Sequence, residues 1–277
     1  MDIAGRVAVV TGGASGIGRS ICLALAEQGA GGVVVADVDA GGAAEVAAAI
    51  EADGQRALAV TADMAREADA EALVARAEEA FGPVGLFFSN AGIIVDGGVE
   101  VPDEAWSRIW AVNVQSHVYV ARALLPRMLA RSEGYLVITA SAAGLLTELG
   151  SAPYSVTKHA AVALAEWLSI THGDQGIRVS CLCPQAVRTN LIATSHRQVS
   201  AMPAERTGVG TPQASVDGVL TADEVAACVI EAIGDERFLI LPHPEVARYE
   251  QRRAGDRERW LRGMRRLQAR LSGQQPS

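Results

Sequence analysis

At 277 residues, nearly half of them apolar, and with a net charge of −8, the chain can bury a large core and has no general electrostatic pull toward nucleic acid or an anionic membrane. Aromatics are few while alanine, valine and glycine abound, which suits closely packed helices on a sheet and excludes a disordered chain. The four cysteines, Cys22, Cys181, Cys183 and Cys228, are too sparse for a disulfide scaffold.

In chain order, short β-rich runs alternate with alanine-rich helical stretches. Strands are predicted over Arg6–Gly12, Val33–Asp37, Arg56–Thr61, Leu86–Ser89, Tyr135–Thr139, Ile177–Cys183 and Phe238–Leu241. Helices are predicted over Gly18–Gln28, Gly42–Ala52, Glu67–Phe81, Asp103–Ala130, Ala152–His172 and Ala222–Ile233. This is an α/β pattern that calls for one doubly wound parallel sheet of about seven strands with helices on both faces.

Two segments depart from the alternation. Residues 190–220 are rich in Ser, Thr, Pro and Gly, show little helical periodicity and read as a mobile excursion before the next helix. Residues 245–277 form an arginine-rich tail in which Trp260, Met264, Leu267 and Leu271 recur at helical spacing, an amphipathic helix expected to pack on its own domain or on a neighbouring subunit. Glu245, Glu250, Asp256 and Glu258 offset much of its charge, which argues against nucleic acid as a partner. No repeat or linker divides the rest, so 1–244 reads as one domain. Cys181 and Cys183 alternate along one predicted strand as buried thiols, and no metal is expected. The passage from Met1 into the run Val7–Val10 lacks the pattern of a secretory signal, and no apolar run reaches bilayer length, so the expected location is cytoplasmic with no membrane partner.

The loop Thr11-Gly12-Gly13-Ala14-Ser15-Gly16-Ile17-Gly18 follows the first strand and opens the first helix. Its glycines allow a tight turn and close approach, and free amides at a helix start suit a pyrophosphate. Asp37, ending the next strand about twenty residues on, can accept hydrogen bonds from both ribose hydroxyls of an adenosine and would repel a 2′-phosphate, which favours NAD over NADP. The only lysine, Lys158, stands four residues after Tyr154, with Ser141 thirteen residues before that tyrosine. Tyrosine and lysine at this spacing share a helix face. A cation about 5 Å from a phenol contributes on the order of 3 kcal/mol at an effective dielectric of roughly 20, or about two pKa units. A surface lysine that merely snorkels has the same local pattern, so the other motifs decide between the two.

Those motifs, the Thr11–Gly18 loop, Asn90-Ala91-Gly92 after the fourth strand, Asn113 in Asn-Val-Gln-Ser, then Ser141, Tyr154 and Lys158 in order, resemble the short-chain dehydrogenase/reductase family through about Leu241. The resemblance implies a Rossmann-type fold and an NAD-dependent oxidoreductase. In it Tyr154 is the general acid/base, Lys158 lowers the phenol's pKa and holds the nicotinamide ribose, Ser141 hydrogen-bonds the substrate oxygen and Asn113 positions a water. It implies cofactor contacts from Gly12, Ser15, Gly16, Ile17, Gly18, Asp37, Asp63, Met64, Asn90, Ala91, Gly92, Tyr154, Lys158, Val187 and Thr189, with Asp63 meeting the adenine and Asn90 bracing the central strands. Pro184-Gln185 stands where the family commonly has Pro-Gly, which places an amide near the substrate.

Substrate contacts are expected from Ser141, Ala143, Leu149, Tyr154 and Gln185. The surrounding Ile93, Ile94, Leu145, Leu146, Val187, Leu191 and Ile192 are aliphatic, so a hydrophobic secondary alcohol or its ketone is the expected substrate. Arg188 and His196 are candidates for a polar end of it. A homotetramer, or a dimer, built on the long helices around Asn113 and Lys158 is implied by the same resemblance. The alternative is a catalytically silent NAD(H)-binding regulator of the same fold.

Overall fold

The computed structural model describes residues 1–199 and 216–271. Seven parallel strands form one sheet in the order β3-β2-β1-β4-β5-β6-β7: β1 Val7–Thr11, β2 Gly32–Asp37, β3 Ala57–Thr61, β4 Val84–Ser89, β5 Gly134–Thr139, β6 Ile177–Leu182 and β7 Leu239–Ile240. Strands covered on both faces need apolar residues at every position, and VAVVT in β1 and VGLFFS in β4 are buried throughout. Alternate side chains serve opposite faces. Val7 and Val9 join the core under α3 (Glu67–Phe81), α5 (Ser116–Ala130) and α7 (Ala152–His172), while Ala8 and Val10 join the core under α1 (Gly16–Glu27), α2 (Ala40–Ala52) and α9 (Ala222–Gly234). Each fully buried valine, leucine or phenylalanine contributes about 1.5–3 kcal/mol.

Strand order reverses between β1 and β4, the place where the carboxyl ends of a doubly wound sheet open into a crevice. The seven predicted strands and the helices on both faces are all present, with ends shifted by up to two residues.

Three expectations about helices need correction. The single helix over Asp103–Ala130 is interrupted: α4 (Asp103–Trp110) passes through a π-helical turn at Ala111–Gln115 before α5 begins. Asn113 sits in that turn and bonds the backbone of Ile93 rather than its own helix: Oδ1 accepts from the Ile93 N–H and Nδ2 donates to the Ile93 carbonyl, each at 2.8 Å. The extra residue per turn reconciles this tertiary contact with the helix.

The tail is two helices, α10 (Glu245–Gly255) and α11 (Arg257–Leu271), separated at Asp256, whose Oδ1 accepts from the Arg259 N–H at 2.9 Å. Gly255 ends the first helix and Asp256 caps the second, so the apolar spacing runs on across a real break. In the 190–220 segment, Leu191–Gln198 is helical (α8), and Ser195, fully buried, accepts from the Ile94 N–H at 2.9 Å. The remainder of that excursion, 200–215, lies outside the described residues. A four-residue helix, α6 (Ala142–Leu145), follows β5. Among the described residues no helix is long and apolar enough to cross a membrane.

Candidate active site

One cavity runs along the carboxyl ends of the strands from Asp37 to Gln185. At its β1 end the glycine loop needs glycine for two separate reasons. Gly12 and Gly16 have φ of +67° and +52°, a region that strains other residues. A Cβ on Gly18 would lie 2.1 Å from the Gly12 carbonyl oxygen, so only glycine lets α1 start this close to the loop. Asp39, Ser151 and Thr221 cap α2, α7 and α9 with their side chains, but Ser15 makes no such bond to α1. The first amides of α1 are therefore open to an anion.

Asp37 stands at the rim, with Oδ2 accepting from the Ala14 N–H at 3.1 Å and Oδ1 from the Asp39 N–H at 3.0 Å. Asp63 also lines the cavity, and its carboxylate is gripped by Arg108 at 3.0 and 3.3 Å, a partner 45 residues away that the sequence reading did not include. Asn90 ties three strands together. Its Nδ2 donates to the Thr11 carbonyl at 3.0 Å and its Oδ1 accepts from the Thr139 hydroxyl at 3.1 Å.

Ser141, Tyr154 and Lys158 converge from two elements. Ser141 is the N-cap of α6, where its Oγ accepts from the Ala143 N–H at 3.1 Å. The Ser151 cap, with its Oγ accepting from the Tyr154 N–H at 3.2 Å, sets the start of α7 so that Tyr154 and Lys158 face the cavity one turn apart. Lys158 is 3% exposed, its Nζ donates to the Thr139 carbonyl at 2.8 Å, and it lies 5.6 Å from the centre of the Tyr154 ring. This is no snorkelling surface side chain. Asn113 is wholly buried behind this trio, and its Nδ2 also donates to Thr157 Oγ1 at 3.2 Å.

Burial dominates the ionisation of this group. It pushes the Tyr154 phenol up to about 12, against a smaller lowering by the Ser141 hydroxyl, and pushes Lys158 down to about 8, with Cys181 and Cys183 acting the other way. Burial thus raises the phenol where Lys158 was expected to lower it, and Lys158 is not among the groups that shift it in the protein alone. A lysine that sheds its proton near pH 8 is neutral before such a phenol ionises, so its help depends on whatever keeps it an ammonium.

The cavity gathers most of the residues singled out in the sequence: Gly12, Ser15, Gly16, Ile17, Gly18, Asp37, Asp63, Met64, Asn90, Ala91, Gly92, Ser141, Tyr154, Lys158, Gln185, Val187 and Thr189 all line it. Others do not: Asn113 is packed behind the wall, Ala143 is buried in α6 with its N–H on Ser141 Oγ, Leu149 lies outside the lining, and so do Ile93, Ile94, Leu145, Leu146 and Ile192, which leaves Val187 and Leu191 of the aliphatic residues expected around the pocket. Leu191 lines the cavity as expected, and Thr194 and Gln198 from the same helix α8 supply further wall that the composition of this segment does not mark as helical. Arg188 is exposed, and the side chain of His196 lies outside the described residues. Among the described residues no cluster of histidine, cysteine or carboxylate side chains could hold a metal.

Comparison with known proteins gives a consistent result. The model of the short chain dehydrogenase family matches residues 6–200. A 1-deoxy-11-beta-hydroxypentalenate dehydrogenase from Streptomyces exfoliatus is 37% identical over 250 residues, covering 88% of this chain and 86% of that one. A cyclohexanol dehydrogenase from an Acinetobacter strain is 35% identical over 225 residues, covering 80% of this chain and 89% of that one. The crystal structure of a short chain dehydrogenase/reductase from Burkholderia phymatum in complex with NAD superposes with a TM-score of 0.84 at 34% identity, covering 93% of this chain and 96% of that one.

Proposed function

The chain belongs to the short chain dehydrogenase family of oxidoreductases, and from that membership we propose that it oxidises a hydrophobic secondary alcohol to the ketone with NAD, Tyr154 serving as general acid/base. The observation that carries this reading is that Ser141, Tyr154 and Lys158 share one cavity with the uncapped start of α1. One relative is named a cyclohexanol dehydrogenase and another a 1-deoxy-11-beta-hydroxypentalenate dehydrogenase, and a structural neighbour is in complex with NAD, in keeping with it.

The residues fit this cofactor. The pyrophosphate would meet the open amides of α1 beside Gly12, Gly16 and Gly18. Asp37 would take the adenosine ribose hydroxyls and repel a 2′-phosphate, while Asp63 and Met64 would border the adenine and Val187 and Thr189 the nicotinamide. When bound, NAD supplies the acceptor for the hydride that leaves the alcohol carbon.

The chain's own residues do the rest. Ser141 donates a hydrogen bond to the substrate oxygen and holds it against Tyr154, which takes the hydroxyl proton during oxidation and returns it during reduction. Lys158 would hold the nicotinamide ribose and, as an ammonium, would favour the phenolate. Asn113 keeps the segment after β4 in place through Ile93 and sits behind Lys158 as part of the route for its proton. An aliphatic wall including Leu191 and Val187 takes the carbon skeleton, and Gln185 borders it.

We assign 1–244 to one catalytic unit and 245–277 to an appended tail. We also assign the assembly to a homo-oligomer, a tetramer or a dimer, formed through the α5–α7 side, where Trp167 and Ile170 are 55% and 84% exposed. Absorbance at the nicotinamide band with a panel of alicyclic secondary alcohols tests the function. Reduction of NAD in preference to NADP is expected. Tight NADH binding with no turnover of any alcohol would replace the proposal with a silent NAD(H)-binding regulator.

A further inference from the structure

Among the described residues four buried side-chain polar atoms have no hydrogen-bond partner, and three of them are Gln185 Oε1, His243 Nε2 and Asp217 Oδ2. Gln185 follows β6 and lines the cavity. His243 follows β7 and is 2% exposed. Its Nδ1 accepts from the Gln185 backbone N–H at 3.3 Å. A ring nitrogen that accepts carries no proton in the neutral ring, so the proton is on Nε2 and the unpaired atom there is a donor. Asp217 uses Oδ1 to accept from the Tyr249 hydroxyl at 2.9 Å. Burial disfavours a charging proton on His243, while the Gly218 backbone, then the carboxylates of Asp217 and Glu245, favour one. His243 thus has acceptors at hand.

Gln185 has no complement of that kind. It lines the same cavity as Ser141 and Tyr154, at the β6–β7 end, with Asp37 on β2 at the other end. Asp37 would take the adenosine end of the cofactor, so the Gln185 end of the cavity is where the nicotinamide and the substrate would meet. Both the oxygen and the nitrogen of the Gln185 amide can be presented by rotation of the last torsion. The amide oxygen is already out of water and unpaired; a wholly apolar skeleton against Gln185 would leave it so, whereas a hydroxyl, being donor and acceptor at once, would satisfy the amide.

Resting on the alcohol dehydrogenase reading above, we propose that Gln185, anchored through its backbone to His243, selects alcohols that carry a second hydroxyl group: alicyclic diols over simple apolar alcohols. His243 is a positioning residue. It fixes the loop from which the Gln185 amide projects and touches no substrate.

The test compares a cyclohexanediol with cyclohexanol as ligands of the NADH-saturated protein, by ligand-observed NMR titration, in wild type, Gln185→Leu, His243→Leu and His243→Asn, with folding verified by circular dichroism. Wild type should bind the diol more tightly by on the order of tenfold or more, and the ratio should fall to near one in Gln185→Leu. His243→Leu should lower the ratio and His243→Asn, which can still accept from the Gln185 amide, should restore it. An unchanged ratio in Gln185→Leu, no diol preference in wild type, or binding of neither compound overturns the proposal. Turnover of both compounds is read in parallel. Selective diol binding without oxidation refutes the assigned activity and leaves the role of Gln185 standing, whereas equal binding and equal oxidation of both refutes this inference alone.

Discussion

Replacing Lys158 by methionine removes a cation while keeping the length and most of the volume of the side chain. The ammonium stands 5.6 Å from the centre of the Tyr154 ring and is 3% exposed, so little solvent screens the pair. At that separation and an effective dielectric of about 20, a unit charge favours the phenolate by about 3 kcal/mol. That is about two pKa units, and a hydride-transfer step limited by phenolate formation should slow by on the order of a hundredfold. Rapid mixing of NAD-saturated enzyme with an alicyclic alcohol isolates that step, and NADH binding measured separately by fluorescence removes any contribution from a weakened ribose contact. Lys158→Arg should fail nearly as badly, because a planar guanidinium cannot place one donor 2.8 Å from the Thr139 carbonyl and face the ring from the same pocket. A Lys158→Met enzyme that keeps its single-turnover rate within about threefold, at saturating NAD, would refute the electrostatic reasoning.

Gly18→Ala puts a methyl group 2.1 Å from the Gly12 carbonyl and 2.7 Å from Asn90 Nδ2; it should lower stability by about 1–3 kcal/mol, read as a reduced urea midpoint, and should abolish NADH binding, while Gly41→Ala, whose nearest contact would be 3.6 Å away, should change neither. His117 is fully buried, with Nδ1 2.6 Å from Ser89 Oγ, and burial pushes its pKa down from 6.5 to about 3. Its contribution is intact above pH 6.5 and is lost as pH falls toward 3, since the unfolded chain takes up a proton that the folded one refuses. Near pH 5 that is about 2 kcal/mol, so His117→Asn should flatten the acid limb of a denaturation series, and an unchanged limb counts against the burial argument. Asp37→Ser should raise the NADP-to-NAD ratio of kcat/KM at least about tenfold, with an unmoved ratio showing that Asp37 does not read the ribose.

The sheet was readable because its strands are short β-branched runs set between alanine-rich helices, and burial on both faces keeps such runs apolar from end to end. The cradle was readable for a different reason. Gly12, Gly16 and Gly18 mark where backbone must turn left-handed or pass close, and Asp37 follows at the distance set by one βαβ unit. What escaped depends on partners far apart in the chain. The π turn at Ala111–Gln115 arises because Asn113 bonds Ile93 twenty residues earlier, and no helical periodicity encodes that. Arg108 on Asp63 and His243 under Gln185 join residues 45 and 58 apart, contacts that exist only once the sheet is assembled. Helix α8 was obscured by its composition, since Ser195 and Thr194 look like loop residues until Ser195 is buried against Ile94. The break at Asp256 is the exception, since Gly255-Asp256 carries a stop and a cap in adjacent letters and the regular spacing of Trp260, Met264 and Leu267 masked it. The balance between Tyr154 and Lys158 was also hidden, because spacing reveals that a cation lies near a phenol but not how much water both have lost.

The central claim, that Tyr154 carries the proton in an NAD-linked alcohol oxidation, is tested most directly by single-turnover reduction of NAD in wild type and Tyr154→Phe with the same alcohol. Loss of one hydroxyl from a wall otherwise unchanged should slow the step by roughly a hundredfold to ten-thousandfold while NADH binds both proteins with similar affinity. A phenylalanine variant that reduces NAD at close to the wild-type rate would contradict the account.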